Sequence, residues 1–480
     1  VHGKEKLISV NPCQPSQIIG HTCSASKEEA ECAVDAARKA FVKWREIDAR
    51  QRGGLLLKIA KKLRSRRGEL AALQVVEVSK TWREADADVC EAIDFCEYYA
   101  REMIRLGRAC QMDPMPGENN FYLYQPRGVA LVLAPWNFPL AISTGMSMAA
   151  LVAGNSVIYK PSSLSPITGA VLAQIVNEVG IPRGAFQYLP CSGVEVASRL
   201  VEHPDVDLIA FTGSKEVGLE INQKASVSYS GQSGIKRVVA EMGGKNAIII
   251  DEDADLDAAV TGVVQSAFGF QGQKCSACSR AIVLEGTYDR FRERIMEATK
   301  SLQVGNPVDP ATQVGAVVDE HAREKILNFI EIGKSEGRLI FQAENLKEGY
   351  FVGPTVFEDI LPNHRLAKEE IFGPVLVLMR VKDLDEAIEV ANGTDYALTG
   401  GLYSRSPDNI KRVKKEFQVG NLYINRTITG AIVGRQPFGG FKMSGIGSKA
   451  GGPDYLLQFM APRTVTENTI RRGFSPEIGS

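Results

Sequence analysis

From Gly128 onward the chain alternates short, wholly apolar runs with helical stretches, and few folds accommodate that alternation. The runs are "VALVLAP", "SVIYKPSS", "AFQYLPC", "VDLIAFTG" and "KRVVAEMGG", with "PITGAVLAQIVNEVG" and "GVEVASRLVEH" among the stretches between them. A strand that is apolar on both faces belongs inside a parallel sheet covered by helices, so the order predicts βαβ units. A second series, "NAIIID", "RAIVL", "PTVFEDI", "GPVLVLMRV" and "LTGGLYS", predicts a second α/β lobe joined to the first near Gly243–Gly244. Residues 26–107 read as mostly helical, with Ser26 as an N-cap and Glu29 completing a capping box. The segment "MDPMPGENNFYLYQPRG" breaks that rhythm with Pro and Gly, then alternates aromatics as a short strand does.

With 480 residues the chain is too long for one ordinary core, and two or three domains are expected. A formal net charge of -1 argues against a nucleic-acid partner, which would call for a basic excess. No apolar run approaches the ~20 residues of a membrane helix. The start, "VHGKEKLISVNPCQPSQ", lacks a signal pattern and an initial Met, which suggests a trimmed piece of something longer. An odd set of 9 scattered cysteines reads as free thiols in a reducing compartment, here taken as the cytoplasm.

Several strand ends carry polar residues suited to a ligand. "DLIAFTGSKEVG" turns from a strand into a helix through Gly213 and Ser214, where free N–H groups can receive a phosphate. Lys160 ends the strand "VIYK", at the sheet edge where ligands sit in open α/β folds. Asn137, in "APWNFPL", could donate its amide to a developing oxyanion without titrating, or close an ordinary turn beside Pro. In "GFQGQKCSACSR", Cys275 and Cys278 form a CxxC. A structural zinc needs about four ligands; neither a second pair nor a nearby histidine is at hand, so no metal is expected. A redox pair would open a helix early in a small domain. The third reading is a lone nucleophile, Cys275, near a helix N-terminus that lowers its pKa, with Cys278 merely packing. Glu241, after a strand and before the Gly243–Gly244 hinge, could serve as a general base whose pKa is raised by partial burial, or be a solvated loop residue.

Taken together, "PWNFPL", "KPSS", "FTGSKEVG", "EMGGK", "GQKCSA", "EEIFGPVL" and "PFGGFKMSGIG" resemble the aldehyde dehydrogenase superfamily over nearly the whole chain. The resemblance implies that Cys275 attacks the aldehyde, that Asn137 and the Cys275 N–H hold the oxyanion, and that Glu241 activates water against the resulting thioester. It implies NAD as cofactor, with Lys160 and Glu370 on ribose hydroxyls, Ser214 with Gly213 at the pyrophosphate, and Phe372 near the nicotinamide. Trp136 and Val217 belong to the same cofactor set. Ser163 stands where NAD-preferring members often carry Glu, so some NADP use is expected.

Finer detail, in "AEMGGKNAIIIDEDADLDAAV", "SAFGFQGQKCSACSR" and "TGAIVGRQPFGGFKMSGIGSKAGGPDYL", resembles the Δ1-pyrroline-5-carboxylate dehydrogenases within that superfamily. These oxidise L-glutamate γ-semialdehyde to glutamate in proline catabolism. The implied substrate site is the turn Thr429-Gly430-Ala431 for the carboxylate and amine, Ser276 beside the nucleophile, and Phe138 and Phe438 along the aliphatic chain. A succinate-semialdehyde dehydrogenase is the rival, and Arg435 or Arg426 would then take the carboxylate. The tail "RTVTENTIRRGFSPE" resembles that of bifunctional enzymes in which a flavin-dependent proline dehydrogenase domain comes first. The implied layout is a Rossmann-like cofactor domain over 1–107 and 127–241 and an α/β catalytic domain over 242–442. An oligomerisation hairpin and tail over 108–126 and 443–480 would make a homodimer or higher oligomer.

Overall fold

The computed structural model describes residues 5–192 and 194–470 of the chain. Two α/β sheets organise it. In the first, the strands run in the order Gly445–Ile446, Arg237–Glu241, Leu208–Thr212, Val129–Leu133, Ser156–Lys160 and Phe186–Tyr188. All pairings are parallel except that of Gly445–Ile446. The second runs Arg338–Gln342, Thr355–Glu358, Val375–Val381, Cys278–Leu284, Asn246–Ile250, Thr399–Tyr403 and Asn421–Ile424. It is parallel apart from its antiparallel edge strand Arg338–Gln342. All five residues of Val129–Leu133 and of Asn246–Ile250 are buried, which is why those stretches are apolar without alternation.

The helices Lys27–Trp44, Ala49–Ser65, Arg67–Val78 and Trp82–Leu106 fill the predicted helical region. Ser26 Oγ accepts from the Glu29 N–H at 3.2 Å and Glu29 Oε2 accepts from the Ser26 N–H at 3.0 Å, closing the capping box. The antiparallel pair Lys6–Asn11 and Gln14–Cys23 was not anticipated. Its turn packs Cys13 against Ala316 and Phe351 of the second half of the chain.

The expected hairpin and tail over 443–480 is smaller than that range. Gly445–Ile446 is an edge strand of the first sheet, and Tyr455, Leu456 and Phe459 are buried in the first core. Only Met460–Asn468 pairs with Glu118–Pro126, which also carries Cys110–Gln111, in a separate three-stranded sheet. The last ten residues of the tail, and Val1 to Lys4 at the start, lie outside the described residues. Among the described residues no helix is long and apolar enough to cross a membrane.

Val129–Leu133 lies between Leu208–Thr212 and Ser156–Lys160, so the crossover that follows it and the one that follows Leu208–Thr212 run to opposite sides. Such a switch point opens a crevice at the strand's C-terminal end, and Trp136-Asn137-Phe138 is the segment that enters it. A buried ion pair supports this segment. Lys80 Nζ lies 3.2 Å from Asp88, and neither side chain has exposed surface. Burial pushes the ammonium's pKa down and the carboxyl's up. Asp88 Oδ1 accepts from the Ala141 N–H at 3.0 Å, and Lys80 Nζ sits 4.1 Å from the Phe138 ring centroid. Breaking a buried pair on one side strands the other charge. Asp88→Ala is therefore expected to lower the unfolding free energy by about 3–5 kcal/mol, read by urea denaturation.

Candidate active site

The nucleophile candidate sits on a loop whose backbone is held from several sides. Phe270, Gln271 and Gly272 have φ of 51°, 56° and 66°, a left-handed run that reverses the chain just before Cys275. Gly272 is required there, because a Cβ would collide with the Gly373 carbonyl. Asn246 Nδ2 donates to the carbonyls of Cys275 at 2.7 Å and Ala277 at 2.9 Å, while its Oδ1 accepts from the Thr399 N–H at 2.9 Å. Thr399 Oγ1 donates to the Ser276 carbonyl at 3.1 Å. Lys274 Nζ is tied to Glu84 at 2.7 Å.

The helix N-terminus expected at Cys275 is not there. The residues after it run directly into the strand Cys278–Leu284, so no helix dipole reaches the thiol. Burial pushes the thiol pKa up, and the charges of Glu241 and Glu370 push it further. The N–H groups of Ser276 and of Cys275 itself oppose that rise. Cys278 is 1% exposed and packs in the core of the second sheet. Both cysteines are free thiols.

A cavity of about 330 Å³ opens over Cys275. Its walls include Glu241, Phe138, Ser276, Gly430, Ala431 and Phe438, six of the residues named from the sequence. Gly430 has φ 73°, with open space where a Cβ would stand. Glu241 ends its strand with Oε1 buried and without a hydrogen-bond partner. Desolvation raises its pKa to about 7, and Lys449 counteracts part of that rise. Asn137, 5% exposed, is not on the cavity wall; its Nδ2 donates to the Gln273 carbonyl at 3.0 Å, leaving a second N–H on the same amide. Neither Arg426 nor Arg435 lines the cavity. Lys274 does, but its charge is already paired with Glu84.

The residues for which the sequence implies a cofactor role lie outside the lining of that cavity. Lys160 ends its strand and donates to the Pro161 carbonyl at 3.1 Å, which leaves two ammonium hydrogens free. Ser163 is exposed. Ser214 caps Lys215–Ala225 by accepting from the Val217 N–H at 3.4 Å. Gly213 has no room for a Cβ, which would stand 2.5 Å from the Phe211 ring. Val217 is 45% exposed beside that helix start. Glu370 accepts from the Gly244 N–H at 2.8 Å, and burial raises its pKa to about 7. Phe372, at φ 60°, meets the Trp136 ring edge-on at 5.7 Å.

Sequence reasoning missed the cavity's acidic wall. Glu84, Asp88 and Glu91 follow one another at intervals of four and three on Trp82–Leu106 and all line the cavity. Burial first, then Asp88, pushes Glu91 up to about 8. That spacing of acids beside the apolar face of "EADADVCEAIDF" was the available signal, easily taken for a solvated helix face.

The aldehyde dehydrogenase family model matches residues 1–465. The chain belongs to the aldehyde dehydrogenase family. Among relatives of this dehydrogenase, the 1-pyrroline-5-carboxylate dehydrogenase of Geobacillus thermodenitrificans is 50% identical over 97% of this chain and 90% of its own length. That of Bacillus subtilis, 1-pyrroline-5-carboxylate dehydrogenase 2, is 48% identical over 97% of this chain and 91% of its own. A Thermus 1-pyrroline-5-carboxylate dehydrogenase solved with bound NAD superposes with a TM-score of 0.96 at 50% identity, covering 98% of this chain and 91% of that one. Proline utilization A from Bdellovibrio bacteriovorus gives 0.97 at 51% identity over 99% of this chain, which spans 50% of that longer one.

Because burial holds the thiol protonated, Cys275 in the free protein is expected to react slowly with iodoacetamide at about pH 7, its rate still climbing at about pH 10. The difference in alkylation between wild type and Cys275→Ala isolates it from the other thiols.

Proposed function

We propose that this chain oxidises L-glutamate γ-semialdehyde, the open form of Δ1-pyrroline-5-carboxylate, to L-glutamate with NAD in proline catabolism. The observation that carries this reading is one cavity holding a thiol, a partnerless carboxyl and an open glycine turn, Cys275, Glu241 and Gly430, with no unpaired cationic side chain among the described residues. A carboxylate in such a cavity is left to neutral donors, the Ser276 hydroxyl and backbone N–H groups such as a turn with left-handed Gly430 presents. Glu91, uncharged near neutral pH, offers a carboxyl oxygen that can accept a hydrogen bond from the substrate's ammonium. The relatives at about half identity carry the same activity in their names.

As the Cys275 sulfur bonds to the aldehyde carbon its proton passes to solvent, the carbonyl π pair moves onto oxygen, and that oxygen becomes an oxyanion. The Cys275 N–H and the second N–H of Asn137 receive that charge. NAD, when bound, would supply the hydride acceptor that brings the carbon to the oxidation level of a thioester. Lys160 and Glu370 would hold its ribose hydroxyls and Ser214 with Gly213 its pyrophosphate. Trp136, Phe372 and Val217 would supply apolar contact. Glu241 then removes a proton from water as the water adds to the thioester; the C–S bond breaks and glutamate leaves. Ser163 offers no carboxylate to repel a 2′-phosphate, so NADP is also accepted. The three-stranded sheet of 110–126 and 460–468, otherwise an open edge, pairs subunits in a homodimer or larger assembly. The likeness to proline utilization A, of which this chain spans 50%, is the ground for a fusion with a proline dehydrogenase as partner, and the free thiols suit the cytoplasm.

Two outcomes test this. NADH formation with Δ1-pyrroline-5-carboxylate should exceed that with succinate semialdehyde by about 10²-fold or more in kcat/KM, because a site built for the amine rejects the analogue lacking it; the reverse order would remove the substrate assignment. Glu241→Gln should keep the first burst of NADH and slow the steady phase by about 10²–10⁴-fold. A base must be deprotonated to work, so the wild-type steady phase should rise with pH through about 7 and then level, and the variant should lose that limb.

A further inference from the structure

Of the motif "PFGGFKMSGIG" and the residues after it, only Phe438 has a role in the scheme above, yet the segment touches both sheets' neighbourhoods and the general base. On one side Phe441–Lys442 pairs antiparallel with Tyr396–Ala397. Lys442 Nζ donates to the carbonyls of Asn392 at 2.9 Å and Thr394 at 3.0 Å, and Ser444 Oγ accepts from the Ala397 N–H at 3.0 Å. On the other side the Met242 N–H donates to the Ser444 carbonyl at 2.9 Å, and Gly445–Ile446 pairs with Glu241–Ala240. Gly445, at φ 156°, could not carry a Cβ, which would stand 2.6 Å from the Ala240 carbonyl. The strap thus ends against the backbone of Glu241 itself.

Four residues beyond Gly445 the chain presents Lys449. Its Nζ donates to the carbonyls of Gly420 at 2.6 Å and Gly439 at 2.7 Å and to Asn421 Oδ1 at 3.1 Å. All three acceptors are neutral, so they fix the ammonium's position without cancelling its charge. The other titratable groups facing Glu241 are Glu91 and Tyr99 on Trp82–Leu106, Tyr455, and the Cys275 thiol. Burial holds each of these in its uncharged form near neutral pH. Among the described residues Lys449 is the one charged group whose field lowers the Glu241 carboxyl; burial lowers the Lys449 ammonium's own pKa, and the Glu241 field opposes that.

We infer that Lys449 is a positioning residue for the hydrolytic step: its ammonium, pinned by three neutral oxygens, keeps Glu241 available as a base, and the Phe441–Ser448 strap holds the two in register across the lobes. This rests on the reading of Glu241 as the base. Removing the charge leaves desolvation unopposed, so Glu241 binds its proton more tightly and the rising limb of the steady phase moves to higher pH.

The test follows the steady phase of NADH formation after the burst, across pH, in the full chain with saturating substrate and NAD. Lys449→Gln keeps donors for the Gly420 and Gly439 carbonyls, and Lys449→Met serves as a second neutral variant should the first fail to fold. The neutral variants should move the limb up by about one pH unit, with about a tenfold loss below it and near wild-type rate above about pH 9. Lys449→Arg should stay near the wild-type limb. A limb unmoved in the neutral variants, but abolished in Glu241→Gln, overturns the role of Lys449 and leaves the base in place. A limb that survives Glu241→Gln overturns the base assignment, and this inference with it.

Discussion

The Asn246 side chain is the joint on which the site depends. It opens the interior strand Asn246–Ile250 of the second sheet, and its amide holds three backbone groups at once: the carbonyls of Cys275 and Ala277 and the N–H of Thr399. A buried amide with its donors and acceptor all engaged in good geometry is costly to disrupt, since each partner would be left without water or protein to replace it. The nucleophile loop can therefore adopt a left-handed run at Phe270–Gly272 and remain in place. Gly244 completes the fit: a Cβ there would stand 2.6 Å from both the Cys275 carbonyl and Asn246 Oδ1.

Around that loop the charges are arranged by burial more than by pairing. Glu241 and Glu370 both sit near a pKa of 7, one facing the cavity and the other the cofactor side. With Cys275 between them, two carboxyls raise a thiol that an aldehyde requires as thiolate. Two further ion pairs, Lys80 with Asp88 and Lys274 with Glu84, tie the helix Trp82–Leu106 to the Asn137 segment and to the nucleophile loop.

Much of the architecture was legible because buried parallel strands cannot alternate: "VALVL" and "NAIII" announce themselves without any partner in view. Strands with weaker signals escaped. Gln14–Cys23 is largely open to solvent, and Arg338–Gln342 and Asn421–Ile424 are edge strands only partly buried. The site residues were legible where a motif carried them, as with Cys275, Glu241 and Phe438. The helix N-terminus imagined at Cys275 failed for a local reason: Cys278 begins a strand, and "KCSACSR" has no signal that separates a loop before a strand from one before a helix.

By itself the sequence determined the α/β class, the two strand series, and the order of the chemical groups along the chain, since these follow from hydrophobic period and residue type. Only the tertiary structure decided which groups share a cavity. Glu91 and Lys449 lie more than a hundred residues from Glu241 on either side, and nothing local marks them as its neighbours. The shift of a carboxyl toward neutrality is likewise a property of surroundings rather than of residue type: the free energy of holding a charge is set by the water removed and the fields that replace it, and both exist only once the chain has closed around the site.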